Sequence, residues 1–216
     1  DVCNEPFHHL PQHSRHLLCR YRQRTSQVLD IKLICNEANK YKIPVVLDNT
    51  FSTALIQKPL ELGATLSLIS TTKFINGHSD ALGGAVLTNN EEWNNKMLFS
   101  QKALGLQPSP FDTWLITRGV KTLPLRIEQQ SKSAEIISKE IENHRIISKV
   151  FYPFNQKHPQ FNLAKSQMKS GGSMITLKLN LNKSDTFKFC KSLRYFSLAE
   201  SLGGVESLIC HPATMT

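Results

Sequence analysis

Ser70-Thr71-Thr72-Lys73-Phe74-Ile75-Asn76-Gly77-His78-Ser79-Asp80 follows directly on Thr65-Leu66-Ser67-Leu68-Ile69, a short apolar run that reads as a buried strand. The stretch therefore lies at a strand's C-terminal end, where open α/β sheets bind ligands. Ser70, Thr72 and Lys73 place two hydroxyls and an amine close together. That set suits an anionic carbonyl compound: the hydroxyls can hydrogen-bond a phosphate, and the amine can form an imine. A nucleophilic Lys needs partial burial to lower its pKa, and Ile69, Phe74 and Ile75 bracket this one with apolar side chains. The alternative is a surface Lys in a turn.

Upstream, Ile43-Pro44-Val45-Val46-Leu47 reads as a second buried strand, with Pro44 tolerable near its start. It runs into Asp48-Asn49-Thr50-Phe51. A carboxylate at that point can pair with a protonated pyridine nitrogen; alternatively, Asp48 is an ordinary turn or cap residue. Because Asp48 and Lys73 both end strands, the two are read together. Ile31, Ile34, Cys35 and Ala38 fall at helical spacing behind Asp30, a suitable N-cap. Downstream, Gly83-Gly84-Ala85-Val86-Leu87 reads as a third strand. Helices are predicted over 90–103 and 111–143, the second with breaks at Gly119 and Pro124. This alternation predicts an α/β fold. From about 148 the pattern changes to strands at 148–152, 173–180 and 205–209 and helices at 158–168 and 184–193. We therefore divide the chain into 1–27, 28–147, and a smaller α+β unit at 148–216.

Residues 1–27 stand apart. They hold four of the eight His, four of the eight Arg and no Lys, and neither helical nor strand periodicity is clear. His9, His13, His16 and Cys19 have the spacing of metal ligands on one helix face. Pro11 argues against that helix, and no metal site is expected.

The 216 residues carry 26 Lys plus Arg against 17 Asp plus Glu, a formal charge of +9, and are 40 % apolar. That is globular composition and excludes collagen-like, coiled-coil and disordered chains. A basic balance can signal nucleic acid or a membrane surface. Here the Lys are dispersed with no run of five basic residues, so neither partner is expected. No apolar run nears the roughly 20 residues of a membrane span, and no signal peptide is read at the start. Five scattered Cys without a CxxC point to a reduced, cytoplasmic setting.

Taken in order, the motifs resemble the pyridoxal-phosphate-dependent trans-sulfuration enzymes of cysteine and methionine metabolism. Asp48 to Phe51 is similar to that family's DNTF, and Ser70 to Asp80 to its S-x-T-K-[FY]-x-x-G-H-S-D. Further matches are Ser109-Pro110-Phe111-Asp112-Thr113-Trp114-Leu115, Arg118 to Leu123 with Arg126, Tyr152-Pro153, His158-Pro159, Ala164 to Met168, Leu198 to Ile209 and His211 to Thr216. The resemblance covers 28–216. It implies the back half of a fold-type I pyridoxal phosphate (PLP) transferase large domain plus the start of its smaller α+β C-terminal domain. It implies that Lys73 forms the Schiff base with PLP and shuttles protons, that Asp48 holds the pyridinium, and that Ser70 and Thr72 bind the phosphate. Ser201, with its neighbour Glu200, would bind the substrate. Asn76 and the Glu200-Ser201 pair look more like the cystathionine γ-synthase and γ-lyase branch than the β-lyase branch. Substrates would be small amino acids: a homoserine ester, cysteine or cystathionine.

Full family members are nearly twice as long and form tetramers built from dimers with shared active sites. Their Gly-containing phosphate loop, ring-stacking Tyr, interface Tyr and Arg, and substrate-clamping Arg have no counterpart here, and Arg22-Gln23-Arg24-Thr25-Ser26 stands where an Asn-containing segment is usual. Thr65 and Ile69 also depart from the usual residues. The change before residue 28 suggests a frameshift or a displaced start. The chain is accordingly expected to be inactive alone, with exposed strand edges prone to aggregation and homo-oligomer assembly in doubt. The alternatives are a non-catalytic remnant without stable cofactor binding, or a basic, His-rich binding module.

Overall fold

Four strands form the main sheet: β1 (Leu17–Arg20), β2 (Val45–Asp48), β3 (Leu66–Ser70) and β4 (Gly84–Leu87), side by side in that order. The computed structural model describes residues 17–20, for their backbone, and 26–215. β1, β2 and β3 run parallel, with Arg20 opposite Asp48 and Asp48 opposite Leu68, and β4 returns antiparallel to β3. The parallel register brings the C-terminal ends of β2 and β3 to one edge of the sheet. β1 lies in the segment where no strand was expected; the candidate ligands His9, His13 and His16 lie outside the described residues, as does the side chain of Cys19.

Helix α1 (Ile31–Lys40) starts where Asp30 accepts the Leu33 amide at 2.9 Å. Its buried Ile31, Ile34, Cys35 and Ala38 lie on one face and pack with Val45 and Leu47 of β2 and with Ala64. A short α2 (Thr53–Ile56) follows β2. Asn90 caps α3 (Glu91–Leu104), and Gly105 closes it at φ +66°. Ser109 caps α4 (Pro110–Val120), which takes a Pro in its first turn, as does α5 (Leu123–Glu140). Breaks were expected at Gly119 and Pro124, but Gly119 lies inside α4 and Pro124 in the first turn of α5, where Pro is tolerated, and the one break falls at Lys121 and Thr122.

A second, antiparallel sheet pairs β5 (Ile147–Phe151) with β6 (Thr176–Leu179), with α6 (Phe161–Gln167) between them in sequence. After α7 (Lys183–Ser192), β7 (Ser197–Leu198) and β8 (Leu208–Ile209) form a two-residue parallel pair, and α8 (Pro212–Met215) follows. The strand expected over 205–209 is thus limited to its last two residues. Val28, Ile56, Phe74, Leu123, Ile127, Ala164 and Met168 share one core. Two amides of α6 and its leading turn reinforce it. Gln160 accepts the Val28 amide at 2.8 Å and donates to the Val28 carbonyl, and Gln167 donates to the Leu29 carbonyl at 2.7 Å. Among the described residues no helix is long and apolar enough to cross a membrane.

Candidate active site

Strand β3 ends at Ser70 and the chain turns at once into a π-helical turn, Thr71–Ile75. Buried Phe74 anchors the turn in the core, and the amides of Asn76 and Gly77 bond back to the carbonyls of Thr71 and Lys73. Lys73 itself leaves helical geometry, at φ −89° and ψ −123°. Its side chain is half-buried, and its Nζ donates to Ser201 Oγ at 3.1 Å.

Ser201 arrives from the segment between β7 and β8, and its φ of +109° is one that residues other than Gly seldom adopt. Outliers of that kind concentrate at functional sites. Two neighbours explain the approach. Gly203, at φ +80°, lies against the Lys73–Phe74 backbone, where a Cβ would come to 2.6 Å of the Phe74 nitrogen. Gln130 of α5 donates to the Gly204 carbonyl at 2.8 Å. Glu200 is exposed, and its charge falls on Cys210, whose thiol is pushed up first by desolvation and then by that carboxylate.

Asp48 ends β2 half-buried, its Oδ1 accepting the Thr50 amide at 3.0 Å. Thr50 Oγ1 in turn accepts the Ser70 amide at 2.9 Å. The two strand ends are therefore tied together, and Asp48 and the Lys73 turn share one edge. Thr72 Oγ1 accepts the Gly83 amide at 3.0 Å and donates to the Gly83 carbonyl at 3.3 Å, so its proton is already in use. Ser70 Oγ makes no hydrogen bond among the described residues and is the freer hydroxyl. Beyond the turn, Asn76 donates to Asp80 at 2.8 Å, and His78 Nδ1 lies 2.7 Å from the Asn76 carbonyl. The cavity beside Asp48, lined by Val28, Ile31, Leu47 and Phe51 among others, has about 20 Å³. That is room for one water.

A profile of the "Cys/Met metabolism PLP-dependent enzyme" family matches residues 22–216. The chain belongs to this family. Cystathionine beta-lyase of Lactococcus lactis subsp. cremoris is 44 % identical over 190 residues, which are 88 % of this chain and 50 % of that protein. Cystathionine gamma-synthase of Mycobacterium tuberculosis is 42 % identical over 189 residues, 88 % of this chain and 49 % of that one. The crystal structure of cystathionine gamma synthase from Xanthomonas oryzae pv. oryzae, in complex with aminoacrylate and cysteine, superposes with a TM-score of 0.90. It is 40 % identical, over 94 % of this chain and 52 % of the other. The chain spans about half the length of the curated relatives it matches. Overall identity is similar for the beta-lyase and the gamma-synthase, and the match begins at residue 22 rather than 28.

The residues present fit PLP by the chemistry of the donor set. An amine, a carboxylate and an unengaged hydroxyl meet at one edge of the sheet, as Lys73, Asp48 and Ser70. Sequence reasoning named these three and Ser201. It missed Gln130, which carries no motif signal, and it quoted Arg126 only as part of a matching helix.

Proposed function

We propose that this chain carries the lysine-bearing wall of a PLP site acting on sulfur amino acids, of the γ-replacement or γ-elimination type. The observation that carries the reading is Lys73 Nζ at 3.1 Å from Ser201 Oγ, on a turn tied through Ser70 and Thr50 to Asp48. PLP, when bound, supplies an electron sink that makes hydrogens next to the amino-bearing carbon acidic. Lys73 Nζ would hold the cofactor through its aldehyde, and it is the amine placed to take up and return substrate protons. Asp48 would accept the hydrogen on the ring nitrogen and so favour its protonated form. Ser70 would donate to the phosphate, as Thr72 would on giving up its hydrogen bond to the Gly83 carbonyl. Ser201 orients Nζ and offers its hydroxyl to the substrate carboxylate.

The described residues also favour a second statement: these 216 residues alone do not turn substrate over. Ser201 is exposed and Lys73 only half-buried, so a cofactor held there would lie on an open face, and loosely held groups catalyse poorly.

Titration with PLP, followed by borohydride reduction and peptide mapping, tests the first statement. The expected result is preferential modification of Lys73, lost in Lys73→Ala. Uniform modification of surface Lys would sink it. Steady-state assays with cystathionine, and with O-succinylhomoserine plus cysteine, test the second. No turnover is expected, and Lys73-dependent turnover by the isolated chain would overturn it.

A further inference from the structure

Arg126 stands in the first turns of α5, half-buried, and its guanidinium makes four hydrogen bonds. Nε donates to Thr122 Oγ1 at 3.0 Å, and Nη1 to the Phe74 carbonyl at 2.7 Å. Nη2 donates to the carbonyls of Ile75 at 3.1 Å and Gly119 at 2.8 Å. Phe74 and Ile75 close the turn that carries Lys73, and Gly119 lies in the last turn of α4. The Phe74 and Ile75 carbonyls accept no backbone amide among the described residues, as is usual at such ends, whereas the Gly119 carbonyl also accepts the Thr122 amide at 3.2 Å. One cation gathers those of two elements, where positive charge is favoured.

Burial lowers the Arg126 pKa, and among the described residues no carboxylate pairs with it. The carbonyls are what offset the desolvation. Two glycines leave the room: a Cβ on Gly77 would strike the guanidinium, and one on Gly119 would strike the Asn76 carbonyl. The five donors of the planar fork are spread over three nitrogens and reach carbonyls in different directions; the three donors of a Lys radiate from one nitrogen and span less.

We propose that Arg126 is the positioning residue of the candidate site: by tying the carbonyls that follow Lys73 to the end of α4, it fixes the turn from which Nζ reaches Ser201. It bonds the backbone behind Lys73 rather than its amine. The consequence for cofactor chemistry rests on the PLP reading above; the placement of Lys73 does not.

The experiment uses the full chain as wild type, Arg126→Lys and Arg126→Met, the last keeping much of the aliphatic stem. Trace labelling with acetic anhydride, read by peptide mass spectrometry, gives the reactivity of Lys73 relative to exposed Lys132. Amide hydrogen exchange gives the protection of Asn76 and Gly77 relative to β2 and β3. In Arg126→Met the two turn amides should exchange about tenfold faster with β2 and β3 unchanged. The Lys73-to-Lys132 reactivity ratio should shift at least threefold, and Arg126→Lys should restore part of it. A folded variant with the wild-type ratio overturns the proposal. So does failure of both variants to fold, because Arg126 then serves stability rather than placement. PLP with borohydride on the wild type is run alongside. If Lys73 is not preferred there while the acetylation ratio shifts as expected, the PLP reading falls and the positioning role stands.

Discussion

Ser201 gives Lys73 its hydrogen-bond acceptor from an exposed position, so its removal should be felt by reactivity and hardly by stability. Ser201→Ala is expected to reduce PLP-borohydride modification of Lys73 severalfold while changing unfolding free energy by less than about 0.5 kcal/mol. Peptide mapping and urea denaturation measure the two. Tyr152 is the opposite kind of residue. It is buried, and its hydroxyl donates to the Gly172 carbonyl at 3.0 Å. Tyr152→Phe leaves that carbonyl unmet and should cost about 1–2 kcal/mol in the same denaturation experiment. His158 is buried too. Desolvation lowers its pKa first, the Lys149 charge adds to this, and a backbone hydrogen bond to Ser26 opposes it. The fold therefore holds the neutral ring, and the unfolded chain takes up the proton more readily. Stability from this group is complete above the unfolded value of about 6.5 and is lost as pH falls below it. Melting temperature should drop from pH 7.5 to 5.5, and the drop should shrink in His158→Gln.

Elements with local signals were legible in the sequence. Asp30 and the 31-34-35-38 spacing located α1, and the apolar runs located β2, β3 and β4 within a residue or two. Gly119 and Pro124, read as break points, lie inside α4 and α5, and the break falls between them at Lys121 and Thr122. What was not legible depended on contacts from afar. The π-helical turn has no periodic pattern of its own; Phe74 in the core and Arg126 on its carbonyls hold it. The site showed the same division. Spacing brought out Lys73, Ser70, Thr72 and Asp48, each at a strand end, but Ser201 lies 128 residues from its partner, and only the resemblance pointed to it. Gly119 tests the contact between α4 and the Lys73 turn. Its missing Cβ lets α4 lie on the Asn76 backbone. Gly119→Ala should push the helix away and cost about 1–3 kcal/mol by urea denaturation, although alanine is the better helix former.

At the scale of the whole molecule, several large apolar side chains are exposed. α3 buries none of its residues, and Leu82, Phe99, Leu104, Leu106, Phe111 and Trp114 are all more than half exposed. Phe111 and Trp114 stack at 5.9 Å. Apolar exposure on this scale promotes association. The chain should self-associate as concentration rises in sedimentation velocity, and Phe99→Lys with Phe111→Lys should shift it toward the monomer. The glutamine clamp has a different consequence, one of order in time. Gln160 and Gln167 grip Val28 and Leu29 across more than 130 residues, and Ala164 and Met168 complete the core that Val28 begins. A ribosome delivers the first partners long before the last. Until α6 has left the exit tunnel, the nascent β-sheet waits with that core open, so translation speed between the codons of Leu29 and Gln160 governs how long it is unguarded.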